Sequence, residues 1–253
     1  RDRGNVHHLF LAQDALPVLQ FLPPRDPRDA LDIGADVLIT SDPTALEYAR
    51  ANPSLETVPL PWDRTYVLLL PAPMTGPPPA DLGPRVANAV RADARPAEGP
   101  FWWTTATRCD ADPGGAPASV ASTTARIAYP RDDPTATLLA QRLVALGAAG
   151  ALAGALSGVA PGSRLVAAGM DDAAFAGAVS TGREAGYVLS LPRQPLDPCV
   201  AHAAVFHRSP WLYAADPAPH ILPLIDTRPH AVLRRGRVRL RIGLDGTVYL
   251  ITR

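Results

Sequence analysis

The stretch that first indicates the fold is Ala35-Asp36-Val37-Leu38-Ile39-Thr40-Ser41-Asp42-Pro43. Its first six residues form a short apolar run, which is typical of a buried parallel strand. The serine and aspartate that follow are N-cap residue types, and the proline suits the first turn of a helix. A helix is therefore predicted over Thr44–Asn52. Strand, polar turn and helix together predict one βα unit.

The same alternation returns in the middle of the chain. Short strands are predicted at 126–129, 164–168 and 185–191, and helices at Pro134–Leu146 and Asp171–Thr181. Alternating β and α elements predict a parallel sheet with helices on its faces.

The C-terminal tail has a different pattern. Four short strands are predicted, at Ile221–Thr227, Ala231–Arg234, Arg237–Ile242 and Thr247–Ile251. Asp245-Gly246 lies between the last two, and both residues accept the positive φ that a tight hairpin requires. The predicted fold class is therefore α/β, with parallel-rich sheets, flanking helices and an antiparallel C-terminal piece.

Composition limits the functional classes. Hydrophobic residues make up 47% of the 253 residues and charged residues 19%, which allows a sizeable core. The formal net charge is zero, which argues against a nucleic-acid partner, and all 24 basic residues are arginine. No run approaches the roughly 20 apolar residues that a membrane span needs.

The sequence contains no recognised catalytic or metal motif. A Gly-x-Ser-x-Gly elbow, a P-loop, a Rossmann glycine fingerprint and HExxH are all absent. The six histidines show no ligand spacing of a known kind. We therefore predict no catalytic residues, no metal site and no cofactor. Cys109 and Cys199 are compatible with either a disulfide or two buried thiols.

Three stretches carry a family resemblance: Gly34–Pro43, Val58–Pro71 and Ile221–Arg228. They resemble a core strand with its ligand-facing turn, a strand that leaves one lobe for the other, and the returning segment of the family-5 type of extracellular solute-binding protein. This is the peptide and nickel class that serves ABC importers. The chain is shorter than usual for that family.

The resemblance implies a two-lobed periplasmic-binding-protein-like fold of type II, with the ligand in the cleft between the lobes. Lobe 1 would comprise residues 1–70 and 195–253, and lobe 2 residues 71–194. The implied partners are a small-molecule or short-peptide ligand and the membrane subunits of an ABC transporter. The implied protein is a periplasmic or extracellular monomer, with lipid anchoring through a segment outside this chain as an open alternative.

Two groups of candidate ligand-binding residues are predicted. One lies at the end of a strand, and the other lies in the crossover stretch, where the chain would leave one lobe for the other. Thr40, Ser41 and Asp42 lie where a strand ends and a helix begins, a position at which ligands bind in open α/β sheets; simple helix capping is the alternative. In the crossover stretch Trp62-Asp63-Arg64 an aromatic ring and a guanidinium stand close together, and arginine can bind a carboxylate bidentately. An ordinary ion pair and a half-buried tryptophan are the alternative there.

The aromatic run Phe101-Trp102-Trp103 gives the last candidates, Trp102 and Trp103. Such a cluster can form a stacking surface for a ligand or a plug in the core. Two other functions remain open beside solute binding. One is an enzyme on a two-lobed frame with Asp42, Asp63 or Arg64 in catalytic roles, and the other is a ligand-sensing domain.

Overall fold

The structure, a computed structural model, describes residues 26–72, 74, 77–90, 93–98, 102, 124–148, 164–206, 220–243 and 247–252. In chain order its elements are α1 (Pro27–Asp32), β1 (Val37–Thr40), α2 (Pro43–Ala51), β2 (Leu55–Pro59), β3 (Arg64–Leu69), α3 (Leu82–Ala87), β4 (Ala94–Pro96), β5 (Thr124–Pro130), α4 (Pro134–Ala148), β6 (Arg164–Met170), α5 (Asp172–Thr181), β7 (Gly186–Pro192), α6 (Pro198–Phe206), β8 (Ile221–Thr227), β9 (His230–Arg234), β10 (Val238–Ile242) and β11 (Val248–Thr252). Within the described ranges, no helix has the length and apolar character needed to cross a membrane.

The chain packs as two compact units. Unit 1 contains the residues up to Trp62 and those from Arg228 onwards, and unit 2 spans Asp63–Thr227. The lobes expected from the sequence, with boundaries after residues 70 and 194, stay a prediction. In the division into units, β3 and β8 both belong to unit 2, because they pair with each other inside its sheet.

Unit 1 is built on a three-stranded sheet in the order β1-β9-β2, with both pairs antiparallel. The parallel pairing expected for β1 is wrong, because its partner β9 arrives from the C-terminal tail in the opposite direction. Strands β10 and β11 pair as a separate antiparallel hairpin, as predicted, while the turn Asp245-Gly246 lies outside the described residues. A small apolar cluster joins sheet and hairpin: Leu60, Ala231 and Leu233, with Val37, Val58, Leu240, Val248 and Leu250 packed against them.

Unit 2 is built on a six-stranded mixed sheet in the order β4-β8-β3-β7-β5-β6. Strand β5 is parallel to both β6 and β7, and the other pairs are antiparallel. Helices α4 and α5 are the connections of the parallel part, which confirms the βα units predicted from residue 126. The mixed α/β class is confirmed as well, with parallel pairing confined to these three strands.

Local sequence signals fix several element ends. Asp42 and Asp171 cap α2 and α5 by accepting the N–H groups of Ala45 and Ala174, both at 2.8 Å. Gly182 ends α5 with φ 62°, a left-handed conformation that glycine adopts without strain.

The sequence also predicts a short helix over Pro84–Ala94, which is too long, because α3 ends at Ala87 and Ala94 is already the first residue of β4. A contact that is distant in sequence makes Ala94 a strand residue, since Ala94 pairs with Thr227 of β8. Helix α6, which the sequence did not predict, starts after Asp197, whose carboxylate accepts the N–H of Cys199 at 2.8 Å.

Candidate functional site

The carboxyl ends of β5, β6 and β7 lie at one edge of the unit 2 sheet, which we call the carboxyl edge. Pro192, the last residue of β7, pairs with Arg64, the first residue of β3. Arg64 in turn pairs with Thr227, the last residue of β8. The chain therefore enters and leaves unit 2 at this edge. In open α/β sheets, ligands bind outside the carboxyl ends of the strands.

A fully buried carboxylate lies just inside the carboxyl edge. Asp226 is 0% exposed and accepts a hydrogen bond from the Thr65 hydroxyl at 2.7 Å. Its other oxygen accepts from Arg95 Nε and from the Glu98 N–H, each at 3.3 Å, and from the guanidinium of Arg193. A buried charge is tolerated only when it is paired and hydrogen-bonded, and here four residues from three chain segments supply the partners. We name these five residues the Asp226 cluster.

Arg64 stands at the same edge without such a partner. It is half-buried, and the described part of the chain shows no ion pair for it, whereas Arg95 and Arg193 are both engaged by Asp226. A guanidinium offers a planar fork that matches a carboxylate bidentately. Arg64 is therefore the cation of this edge that is best placed to receive an anionic group.

A tyrosine ties the carboxyl edge to a helix. The Tyr66 hydroxyl lies 3.0 Å from Asp133 Oδ2, and Asp133 Oδ1 accepts the Ala136 N–H in the first turn of α4 at 2.9 Å. Burial is the main cause that raises the pKa of Tyr66, and the Asp133 carboxylate raises it further. The phenol therefore stays protonated, and its bond to Asp133 fixes β3 against α4.

In unit 1, Thr40 and Asp42 serve the local turn. The Thr40 hydroxyl oxygen accepts the Asp42 N–H at 3.0 Å, and Asp42 caps α2. These bonds fit the capping alternative. Ser41, between them, is exposed and no hydrogen bond engages its side chain among the described residues. Ligand binding by all three stays a prediction.

Trp62 packs against a cation that sequence analysis did not single out. The guanidinium carbon of Arg228 lies 4.6 Å from the centroid of a Trp62 ring, which is cation–π geometry. Trp62 is the last residue before the chain enters unit 2, and Arg228 is the first after it returns. The pair therefore joins the two ends of unit 1 at the crossing.

Trp102 is a core residue. Its side chain is 8% exposed, packs with Val67, Leu69 and Tyr187, and donates its indole N–H to the Pro192 carbonyl at 2.7 Å. This placement favours the core plug over a stacking surface. Trp103 lies outside the described residues.

The predicted residues that the structure describes divide between the two units. In unit 1, Thr40 and Pro59 lie at the same end of the sheet, because both pair with His230. Pro59 precedes Trp62 by three residues. In unit 2, Asp63 begins the unit with main-chain bonds: its N–H donates to the Thr227 carbonyl at 3.3 Å, and its own carbonyl accepts from the N–H of Arg193 at 2.7 Å.

Sequence analysis missed the Asp226 cluster. The available signal was one carboxylate in an otherwise apolar strand, Ile221–Thr227, since such a residue needs buried partners. Among the described residues, no three His, Cys, Asp or Glu side chains come close enough together to hold a metal.

No protein-family model matches the sequence, and no curated protein matches it. Solved structures do match. NikA from Brucella suis in complex with Fe(III)-EDTA is 15% identical with a TM-score of 0.52, over 86% of this chain and 57% of that one. The ABC transporter substrate-binding protein CtaP from Listeria monocytogenes is 12% identical with a TM-score of 0.56, over 90% of this chain and 59% of that one. The chain spans less than two thirds of either protein. The chain shares the fold of these two proteins over the matched part, which confirms at the level of fold the resemblance seen in the sequence.

Proposed function

We propose that this chain is a solute-binding protein that captures a small ligand for an ABC-type importer. The observation that carries the proposal is the fold similarity over 90% of the chain to CtaP, an ABC transporter substrate-binding protein. The division into two units with two chain crossings agrees with that role. No observation of comparable weight favours an enzyme or a sensor, and the Asp42 carboxylate, a candidate for catalysis, is used to cap α2.

The ligand is proposed to carry a carboxylate or a similar anionic group. Arg64 supports this, since it is half-buried at the carboxyl edge and carries no ion pair among the described residues. A charge-assisted hydrogen bond contributes about 1.5–3 kcal/mol, so one well-placed arginine changes the affinity by about 10- to 100-fold. In unit 1, Ser41 and Trp62 stay candidates on sequence grounds.

The protein is proposed to act outside the cytoplasm, as a monomer, with the membrane subunits of the importer as partners. Cys199 is disulfide-bonded, and the only other cysteine of the chain is Cys109. Disulfides persist in oxidising compartments such as the periplasm and the extracellular space. The bond therefore supports a periplasmic or extracellular location, and a lipid anchor is compatible with it.

The test is a thermal-shift screen of the full chain against amino acids, short peptides, sugars, oxyanions and divalent metals, with and without chelator. A ligand at about a hundred times its Kd stabilises by about 2.7 kcal/mol, which gives a clear rise in Tm. Hits are re-measured by calorimetry with Arg64→Gln and with Arg183→Gln. Arg183 is exposed, has no ion pair among the described residues and provides the matched control.

An anionic hit that Arg64→Gln weakens by about 10-fold or more, while Arg183→Gln leaves it unchanged, would support the proposal in full. A neutral hit that is insensitive to Arg64→Gln would retain solute binding and reject the anionic ligand. Turnover of the hit, or a flat screen, would reject the solute-binding function.

A further inference from the structure

The C-terminal part of unit 1 concentrates positive charge in a chain that is neutral as a whole. Residues 228–253 contain seven arginines and one acidic residue, Asp245, while the complete chain balances 24 basic against 24 acidic residues. Four of these arginines fall within Arg235–Arg241, at every second position. This density sets the segment apart from the rest of the molecule.

The β10–β11 hairpin sorts its side chains onto two faces. Leu240, Val248 and Leu250 pack inward against the small core of unit 1. Arg239 and Arg241 are exposed, and their partners across the ladder are Ile251 and Tyr249. Directly opposite residues of an antiparallel pair lie on the same face, so these four side chains form the outer surface of the hairpin.

The arginines of this outer surface lack acidic partners. Within the described ranges neither Arg239 nor Arg241 forms an ion pair. Arg237, at the start of the hairpin, approaches Asp36 at 3.4 Å, and Arg235 is exposed and donates Nε–H to a main-chain carbonyl. Exposed hairpins are normally stabilised by cross-strand pairs of opposite charge. Here like charges follow one another along one strand, which does nothing to stabilise the hairpin itself.

We propose that this surface, the basic face (Arg239, Arg241, Tyr249 and Ile251), docks on anionic phospholipid headgroups. Arginine binds phosphate oxygens bidentately, and each basic side chain near an anionic membrane adds to the attraction. Charge alone would serve a soluble acidic partner equally well. The apolar component distinguishes the two, because Ile251 is 44% exposed and lies with Tyr249 among the arginines. Interleaved basic, aromatic and aliphatic side chains suit the headgroup boundary of a bilayer.

The experiment is sedimentation of the full chain with vesicles of phosphatidylcholine, with or without phosphatidylglycerol. We compare the native chain with Arg239→Gln/Arg241→Gln, with Ile251→Ser, and with the control Arg164→Gln/Arg183→Gln. The control removes the same charge from exposed positions of unit 2 that form no ion pair among the described residues. Circular dichroism of each variant verifies folding, and ligand binding is measured separately, since the proposal does not depend on it.

We expect binding to the phosphatidylglycerol vesicles only, weakened about 25-fold by the hairpin double variant, since each arginine contributes about fivefold. The control should bind like the native chain, and Ile251→Ser should bind less even at high salt, where charge attraction is screened. Equal loss in both double variants would overturn the basic face as the site. Absence of vesicle binding, with or without binding to soluble polyglutamate, would overturn the membrane as its partner.

Discussion

Two aspartates, one in each unit, are held in opposite ways. Asp42 in unit 1 is half-buried and accepts the N–H of Ala45, three residues further on. Asp226 in unit 2 is 0% exposed, and its side-chain partners Thr65 and Arg95 lie 161 and 131 residues away in sequence. One carboxylate completes a local turn, and the other joins distant segments.

The difference shows where each unit depends on long-range contacts. A cap requires only the start of its own helix, so its removal affects one helix end. The Asp226 cluster exists only after β3, β4 and β8 have come together, because each strand supplies one of its groups. Loss of Asp226 leaves the guanidinium groups of Arg95 and Arg193 without their buried counter-charge. We therefore expect the larger losses of unfolding free energy in unit 2.

The largest effect is predicted for Asp226→Ala. Removing one member of a buried ion pair costs about 3–5 kcal/mol, because the remaining charges keep their desolvation cost without compensation. We expect the free energy of unfolding to fall by this amount in urea denaturation at neutral pH, and Asp42→Ala to lower it far less. Thr65→Val, which removes one hydrogen bond to the same carboxylate, should fall between them at about 1–3 kcal/mol.

Comparable losses of unfolding free energy in Asp226→Ala and Asp42→Ala would contradict the contrast drawn between the two aspartates. Such a result would mean that water or a rearranged side chain replaces the missing carboxylate. A crystal structure of the Asp226→Ala variant would then show whether Arg95 and Arg193 have turned outward.

The same contrast explains what the sequence could and could not predict. Asp42-Pro43, Gly182 and the alternation after residue 126 act through neighbours in sequence, and the elements they predict are present. Strand β4 depends on its pairing with β8, which nothing near it in sequence indicates, and so it was not predicted.

The site follows the same rule. The stretch Trp62-Asp63-Arg64 became a candidate because it contains an aromatic residue and a cation, and ligand binding by it stays a prediction. Arg95 and Arg193 were missed because nothing near them in sequence indicates the buried Asp226 carboxylate, which lies 131 and 33 residues away. Burial and pairing of charges are properties of the assembled sheet.

The second prediction concerns alkaline pH. Burial raises the pKa of Tyr187, which donates its hydroxyl to the Ala178 carbonyl at 2.7 Å, to about 12, above the usual value near 10. The folded state therefore retains the proton where the unfolded state has lost it. Stability from this group is complete below pH 10 and is lost as pH rises towards 12, by about 2–3 kcal/mol. Buried Tyr66 adds to the loss in the same direction.

This alkaline loss is measurable because the chain contains no lysine and Cys199 is disulfide-bonded. Tyrosine is then the main side chain that titrates near pH 10. Tyr187→Phe should flatten the dependence of unfolding free energy on pH above 10. Tyr48→Phe in unit 1 should flatten it less, because Tyr48 is 37% exposed, although the Asp32 carboxylate that accepts its hydroxyl also raises the pKa of Tyr48. An unchanged slope in Tyr187→Phe would show that the buried phenols of unit 2 do not cause the loss.

The third prediction compares two equivalent helix N-caps, one in each unit. Asp42→Ala and Asp171→Ala each remove a cap whose carboxylate accepts an N–H at 2.8 Å. Each should cost about 1 kcal/mol, the usual value for a lost N-cap. Asp42→Asn should restore most of the loss, because asparagine caps as well. If Asp42→Asn restores stability and yet abolishes binding of a ligand from the screen, Asp42 contacts the ligand in addition to capping α2.

The smallest effect is predicted for the pair of Trp62 and Arg228. A cation over a partly exposed ring contributes about 0.5–1 kcal/mol, and a double-mutant cycle with Trp62→Leu and Arg228→Gln isolates this coupling in urea denaturation. The single changes alone do not, because both residues make further interactions. A coupling of the predicted size would show that contact between Trp62 and Arg228 stabilises unit 1 at the point where the chain leaves it and returns. Strict additivity would mean that the Trp62 ring and the Arg228 guanidinium lie side by side without stabilising each other. Main-chain pairing would then hold this part of unit 1, where the Leu60 N–H donates to the Pro229 carbonyl at 2.9 Å.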